Sequence, residues 1–359
     1  MKLEGIHHIT AITADAQRNV DFYAGVLGLR LVKKSVNQDH TSVYHLFYAD
    51  ETGDPGSDIT FFEYPGLAKG RAGAGMVHRI VWRATGEEAL DFWQARLSEH
   101  GYESSRAVGS LTFHDFEGLE HELLVVETTD EPLVAQHPDI PAELALQGFH
   151  AVRAYTHDPG RSRPLLEDAL GFESADQFEC ADQFESADQA ESADPSESAD
   201  QFESADLPES ADQTPPTTHR TQASQATAAA WEARGAHRGG YYIYDAPPEE
   251  RGVQGAGTVH HVAWASRPDE QAGWREKVVQ AGAHPTPVID RYYFRSVYFR
   301  EPSGVLFEIA TIGPGFTVDE PLERLGDKLS LTPQFEHLRD QIEPTLTPLR
   351  NPRESWARR

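Results

Sequence analysis

Four segments of the chain repeat one plan, and this repeat constrains the fold more than any other feature. Each segment opens with an apolar strand that carries a histidine, continues into an amphipathic helix, and ends in short strands. The opening strands read GIHHITAIT, MVHRIVWRAT, GFHAVRAYTH and TVHHVAWAS. The plan predicts an α+β protein in which each unit offers one sheet face. Two units that pair edge to edge would form a curved sheet around a cleft.

The repeat also predicts the order of regions along the chain. We place four modules at residues 1–66, 74–130, 145–250 and 256–313. A C-terminal tail over residues 314–359 reads as short helices that wrap the body.

An acidic low-complexity stretch interrupts the third module. The unit E-[SC]-A-D recurs seven times with a period of six residues from Glu173 to Asp212, and the stretch holds 14 acids and no base. Its few large apolar side chains cannot offset the entropy lost on ordering. We therefore predict a disordered insert over residues 173 to about 229.

The charge balance limits the partners of this protein. The formal net charge is -27, with six lysines and 25 arginines facing 58 acids. Such a surface repels nucleic acid and anionic membranes, and its self-repulsion is screened best by molar salt. No run of 18 apolar residues, no secretory signal and only one cysteine are present. We therefore expect a cytoplasmic protein of a halophilic organism.

Two tandem histidine pairs and one acidic residue suggest a metal site. His7 and His8 stand in the first strand, and His260 and His261 stand in the corresponding strand of the fourth module. Because side chains alternate along a strand, we expect one ring of each pair to face the cleft and the other to face away. Glu308 follows a Pro-Ser-Gly turn inside the apolar sequence VLFEIA, where an ionised carboxylate needs a partner or a metal. Two histidines and a carboxylate form the facial triad of non-haem Fe(II) sites.

The segments HHIT, PSGVLFEIAT and DEPLERLGDKLSLTPQFEHLR resemble the vicinal-oxygen-chelate superfamily. Within it they resemble the glyoxalase-related dioxygenases that cleave hydroquinone-type rings. The resemblance implies four βαβββ modules paired into two curved-sheet, open-barrel domains. It also implies an Fe(II) or Mn(II) centre built by the first and fourth modules, with His8, His261 and Glu308 as ligands.

The same resemblance implies further site residues and partners. Arg291 and Tyr298 would bind the substrate or transfer protons, and His7, Thr10 and His260 would lie beside the ligands or contact the substrate. The partners implied are a small aromatic molecule and O2, and the sequence leaves a homo-oligomer open.

Two other functions stay open on the sequence alone. A glyoxalase-type isomerase or lyase that acts on a small thiol adduct generally uses a fourth protein ligand. Aligning Gly56 with Gly304 places Thr60 opposite Glu308, so that ligand is missing unless a register slip brings Glu63 to the metal. A non-catalytic small-molecule-binding protein is the other alternative.

A second, degenerate metal site is a further hypothesis. His78, Glu122 and His150 occupy matching phases in the second and third modules, and Glu122 follows Gly118 as Glu308 follows Gly304. These residues could bind a second ion or be a relic of duplication.

Overall fold

Two eight-stranded sheets form the body of the protein in the computed structural model, which describes residues 1–175 and 229–356. The strands of these ranges are β1 Ile6–Thr13, β2 Arg30–Asn37, β3 His40–Ala49, β4 Asp58–Glu63, β5 Val77–Ala84, β6 Ser104–Ala107, β7 Ser110–His114, β8 Glu120–Val125, β9 Phe149–Tyr155, β10 Glu173–Ser174, β11 Ala229–Arg234, β12 Gly239–Asp245, β13 Thr258–Ser266, β14 Ile289–Asp290, β15 Arg295–Arg300 and β16 Leu306–Thr311. The first sheet has the order β14-β15-β16-β13-β1-β4-β3-β2, and the second has the order β10-β11-β12-β9-β5-β8-β7-β6.

Helices are few and mostly short. The α-helices are α1 Ala16–Val20, α2 Glu87–Glu99, α3 Gln271–Gln280, α4 Arg339–Ile342 and α5 Arg353–Trp356. Single turns of π- or 3-10-helix lie at Asp21–Val26, Pro159–Arg161, Pro164–Ala169, Phe316–Val318, Leu322–Arg324, Glu336–Leu338 and Glu343–Thr345. No helix within the described ranges is long and apolar enough to cross a membrane.

The sheets pair the repeated segments in a fixed way. The first sheet joins strands of the first and fourth segments, and the second sheet joins strands of the second and third. In each sheet the two opening strands lie side by side at the centre and run antiparallel: β1 with β13, and β5 with β9. The predicted α+β class with two curved sheets is confirmed, and the module boundaries stay a prediction.

The two faces of the first sheet differ in composition. Large buried side chains of the helices, such as Phe22 and Trp274, belong to the main core cluster. A separate cluster combines small and aromatic side chains, including Phe47, Ala263 and Phe294. Small side chains there leave room beside the central strands, and this face holds the candidate site.

The third module corrects two details of the predictions. Residues 173 and 174, which we expected to be disordered, form β10 and pair with Glu232 and Trp231 of β11. Strand β11, which begins at Ala229, was not expected from the sequence. The rest of the predicted insert, 176–228, lies outside the described residues.

Candidate metal centre

Sheet register brings the three predicted ligands together. Ala263 of β13 pairs with His8 of β1 on one side and with Glu308 of β16 on the other. Paired residues of neighbouring strands face the same way, so His8 and Glu308 flank the small Ala263 side chain. His261 lies two residues before Ala263 on the same strand and faces the same side.

The ligand atoms form a compact triangle. His261 Nε2 lies 2.8 Å from Glu308 Oε2, His8 Nε2 lies 3.2 Å from the same oxygen, and the two nitrogens are 3.3 Å apart. An ion about 2.1 Å from each atom would hold ligands at right angles about 3 Å from one another. The observed separations therefore fit three neighbouring coordination positions around one ion.

Both histidine pairs sit at β-bulges, which the sequence did not predict. His7 is the extra residue of β1 where Ile6 pairs with Trp264 and His8 pairs with Ala263. His260 is the extra residue of β13. Bulges redirect side chains and are frequent beside active sites. The expected alternation therefore does not hold, and both rings of the first pair contact Phe294, with centroids 5.2 and 5.1 Å away.

The first histidine of the first pair fixes the orientation of the second. Burial lowers the pKa of His7 to about 3, so the ring is neutral and carries one proton. His7 Nε2 faces the carbonyl oxygen of Thr311 at 3.2 Å and must carry that proton. His7 Nδ1 then accepts a hydrogen bond from His8 Nδ1, 2.9 Å away, which leaves the Nε2 lone pair of His8 directed at the ligand triangle.

The second pair repeats this contact. His260 Nδ1 lies 2.8 Å from His261 Nδ1. A proton on Nδ1 of His261 frees its Nε2 for a metal, as at His8. The tandem histidines thus have a physical explanation: one ring of each pair holds the other in the tautomer that a metal requires.

The donor set fits a divalent transition metal. Glu308 is 0% exposed, so water cannot hydrogen-bond to its carboxylate. Neither carboxylate oxygen accepts a hydrogen bond of normal geometry from the protein. Burial alone would raise the pKa of Glu308, but the neighbouring His8 and His261 lower it well below its usual value, so the carboxylate is ionised. Burial opposes a charge on His8, but Glu308 raises the pKa of His8, so a proton on this ring can balance the buried anion. A divalent cation in the place of that proton would balance the same charge. Two nitrogens and one oxygen suit Fe(II) or Mn(II), which both accept such ligands.

A fourth protein ligand, which would be a second carboxylate, is absent from this cluster of described residues. Thr60 of β4 pairs with Thr10 of β1, as Glu308 of β16 pairs with Ala263 of β13. Thr60 therefore occupies the position in the first module that Glu308 occupies in the fourth. Glu63 lies three residues further along and accepts a hydrogen bond from the Ala16 amide at 3.1 Å. Within residues 1–175 and 229–356, His8, His261 and Glu308 form the one group of three potential ligands.

Arg291 and Tyr298 line a cleft beside the triangle. His45, Phe62 and Phe294 also line this cleft. Tyr298 pairs with Glu308 across β15 and β16, and its ring lies 5.7 Å from that of His261. Burial and Glu308 raise the pKa of Tyr298, so its hydroxyl keeps its proton.

Arg291 is held at the mouth of this cleft. Its Nε donates to the Tyr298 hydroxyl at 3.4 Å, and its Nη2 lies 3.1 Å from the carboxylate of the exposed Asp39. The guanidinium therefore lies where it can contact a polar substituent of a molecule in the cleft.

The structure does not bring His78, Glu122 and His150 together as a second metal site. His78 and His150 are bulge residues, like His7 and His260, and do not match the ligands His8 and His261. Nε2 of His78 lies 2.8 Å from Asp245 Oδ2. Glu122 does match Glu308, but its carboxylate pairs with Arg79 at 3.0 Å.

One residue of the site was missed in the sequence. His45 of β3 lines the cleft, and its Nε2 lies 3.0 Å from the Thr60 hydroxyl. The available signal was a histidine in the otherwise apolar strand SVYHLFYA, but the similar strand RSVYFR of the fourth module has no histidine.

The fold and the ligand geometry together define a class of protein. The family model of the Glyoxalase/Bleomycin resistance protein/Dioxygenase superfamily matches residues 5–130 and 148–309. The chain belongs to this superfamily.

Individual relatives cover nearly the whole chain. It is 38% identical over 361 residues to a Bacillus subtilis (strain 168) protein named "Putative ring-cleaving dioxygenase MhqA", covering 97% of this chain and 100% of the relative. It is 29% identical to a Sphingobium indicum protein named "Chlorohydroquinone/hydroquinone 1,2-dioxygenase", over 96% of each chain. A crystal structure described as a "putative dioxygenase" from Bacillus subtilis superposes with a TM-score of 0.78 at 34% identity, covering 98% of both chains.

Proposed function

We propose that this protein is a non-haem Fe(II)-dependent dioxygenase, with Mn(II) as the alternative metal, that opens the ring of a hydroquinone- or catechol-type aromatic with O2. The proposal depends on the triangle of His8, His261 and Glu308, to which no second carboxylate is added among residues 1–175 and 229–356. Three protein ligands leave about three positions for reactants, as in the facial triad of oxygenases. The relatives named ring-cleaving and hydroquinone dioxygenases support a dioxygenase function.

The residues of the cleft have separate tasks in this reaction. A metal held by His8, His261 and Glu308 would supply the Lewis-acid centre for the aromatic hydroxyl and O2. Phe62 and Phe294 offer ring faces to a flat substrate, and Arg291 can hold its far polar group. The protonated Tyr298 hydroxyl, next to Glu308 and His261, can donate a hydrogen bond or a proton to an oxygen of the reacting molecule.

The decisive experiment is anaerobic loading with Fe(II) or Mn(II), followed by O2-uptake assays with a panel of hydroquinones and catechols. We expect consumption of O2 together with loss of the aromatic absorbance, and no consumption by His261→Ala. His114→Ala is a matched control, because His114 is exposed at the end of β7 in the other sheet.

The same assay separates the alternatives. Turnover of a methylglyoxal–thiol adduct without O2 uptake would establish the isomerase function instead. Tight binding of the aromatic to the iron-loaded protein without any reaction would establish a non-catalytic binding protein. The Glu63 contact with the Ala16 amide gives the isomerase no support.

We also propose that the acidic composition adapts the protein to a salt-rich cytoplasm. The support is the net charge of -27, which molar salt would screen.

A further inference from the structure

A row of hydrogen-bonding side chains leads from the ligand triangle to His45. Thr10 Oγ1 lies 3.0 Å from Nε2 of His261 and 2.8 Å from Thr60 Oγ1. Thr60 Oγ1 lies 3.0 Å from His45 Nε2. Both threonines are fully buried, whereas the histidine lines the cleft.

The sheet holds this row in place. Thr10 and Thr60 are paired residues of β1 and β4, so their side chains face the same side. Thr60 in turn pairs with Phe47 of β3, two residues from His45. The His45 ring packs between Phe47 and Phe62, with centroids 3.9 and 4.4 Å away. Its position is therefore fixed by neighbours on two strands.

The directions of these hydrogen bonds follow from which side-chain atoms carry a proton. Each hydroxyl donates one proton and can accept others. A metal bound to His261 Nε2 occupies the lone pair that could accept from Thr10, so Thr10 donates to Thr60 and Thr60 donates to His45 Nε2. Burial lowers the pKa of His45 well below its usual value, which keeps the ring neutral and able to accept. The oxygen of Thr10 is left as an acceptor beside the ligand triangle.

We propose that Thr10, Thr60 and His45 form a proton relay that deprotonates the hydroxyl of a hydroquinone bound beside His261. The hydroxyl O–H bond breaks as the proton moves to the Thr10 oxygen, and the aromatic oxygen keeps the electron pair as a phenolate. Thr10 passes its own proton to Thr60, and Thr60 passes its own to His45 Nε2. The imidazolium then loses its Nδ1 proton to solvent through the cleft. This inference rests on the proposed function.

The charges that face His45 favour transfer over storage of the proton. Burial and the guanidinium of Arg291 oppose a positive charge on the ring, and Glu308 favours it. An imidazolium at this position is therefore short-lived, as a relay requires.

The test follows ionisation of hydroquinone without turnover. Iron-loaded protein is mixed with hydroquinone under nitrogen in a stopped-flow spectrometer, and the absorbance of the bound phenolate is recorded. General-base catalysis contributes about 100-fold or more. We therefore expect about 100-fold slower phenolate formation in Thr60→Val and in His45→Gln. Thr60→Ser keeps the hydroxyl and should rescue the rate.

Iron content and circular dichroism accompany each variant, and exposed His114→Gln serves as the histidine control. His45→Gln lies at the cleft wall, so it tests the relay even where the buried Thr60→Val does not fold. Phenolate formation at the wild-type rate in His45→Gln or in folded Thr60→Val overturns the relay. If the wild-type protein ionises hydroquinone and consumes O2 while these variants form phenolate at the same rate, only the relay is refuted and the proposed function stands. A wild-type protein that does neither overturns both.

Discussion

Replacing Glu308 with glutamine should remove most of the stability that this protein gains from a bound metal ion. The side chain keeps its size, but a neutral amide replaces a buried carboxylate whose oxygens accept no normal hydrogen bond. A ligand that binds only the folded state stabilises it by about 2.7 kcal/mol at 100 times its Kd. At about 2–4 °C per kcal/mol, this corresponds to a rise in Tm of about 5–10 °C for the wild type.

The variant should lose nearly all of this increment. Even groups that only support a metal ligand change affinity by about 10–100-fold, so a direct ligand should reach about 100-fold or more. At the same free metal concentration, the variant would then be at about its Kd, where binding contributes about 0.4 kcal/mol. The expected rise in Tm falls to about 1 °C.

The assay is thermal unfolding under nitrogen, with Fe(II) or Mn(II) at a fixed free concentration and with chelator. Glu122→Gln is the matched control, because Glu122 has the equivalent strand position in the second sheet and pairs with Arg79. That variant should be less stable overall yet keep the full metal-dependent rise in Tm. An equal rise in Glu308→Gln and in the wild type would refute the ligand assignment.

Three other perturbations give separable outcomes. Ala263→Leu should fill the space between the strands that carry His8 and Glu308 and abolish metal binding. Ala154→Leu in the other sheet is the control, because this alanine is equally buried and its replacement should cost a similar amount in overpacking, about 1–3 kcal/mol. Elemental analysis should find the metal in Ala154→Leu and not in Ala263→Leu. Burial lowers the pKa of His121 to about 3, and its Nδ1 already accepts from Trp82, so its contribution to stability is complete above about pH 6.5 and is lost as the pH falls towards 3. Urea unfolding should therefore show a loss of about 2 kcal/mol between pH 7 and pH 5 that His121→Leu lacks, and an unchanged loss in the variant would contradict this origin. Molar KCl should raise the unfolding midpoint because it shortens the screening length to about 3 Å, and equal stability at low and molar KCl would count against adaptation to salt.

The convergence of the predicted ligands could be derived from the repeat. Equivalent strands of two modules that pair at their edges place equivalent residues side by side, which is how His8 and His261 meet. The turn before Glu308 sets the register of β16, and Gly304 adopts a positive φ of 116° there. The same alignment placed Thr60 opposite Glu308, and Thr60 does occupy the position on β4 that Glu308 occupies on β16.

The local orientation of the rings could not be derived in this way. A bulge depends on hydrogen bonds with a partner strand, and the sequence of one strand does not show where the extra residue falls. For this reason the expected alternation of His7 and His8 does not hold. His45 escaped attention for a similar reason, since its importance comes from Thr60 on a neighbouring strand.

The second sheet indicates what the proposed metal would do for the first. Its residues Ala151, Arg79 and Glu122 take the places of His8, His261 and Glu308, in that order. A buried carboxylate needs a cation in either sheet. In the second sheet the guanidinium of Arg79 supplies it, with contacts of 3.0 Å to both Glu120 and Glu122. The guanidinium of Arg79 is part of the chain and is occupied by two carboxylates, so it offers no position for a reactant. A metal ion held by three protein ligands would keep positions open for reactants. Within one duplicated architecture, the exchange of histidine for arginine therefore separates a structural ion pair from a centre that can bind substrate.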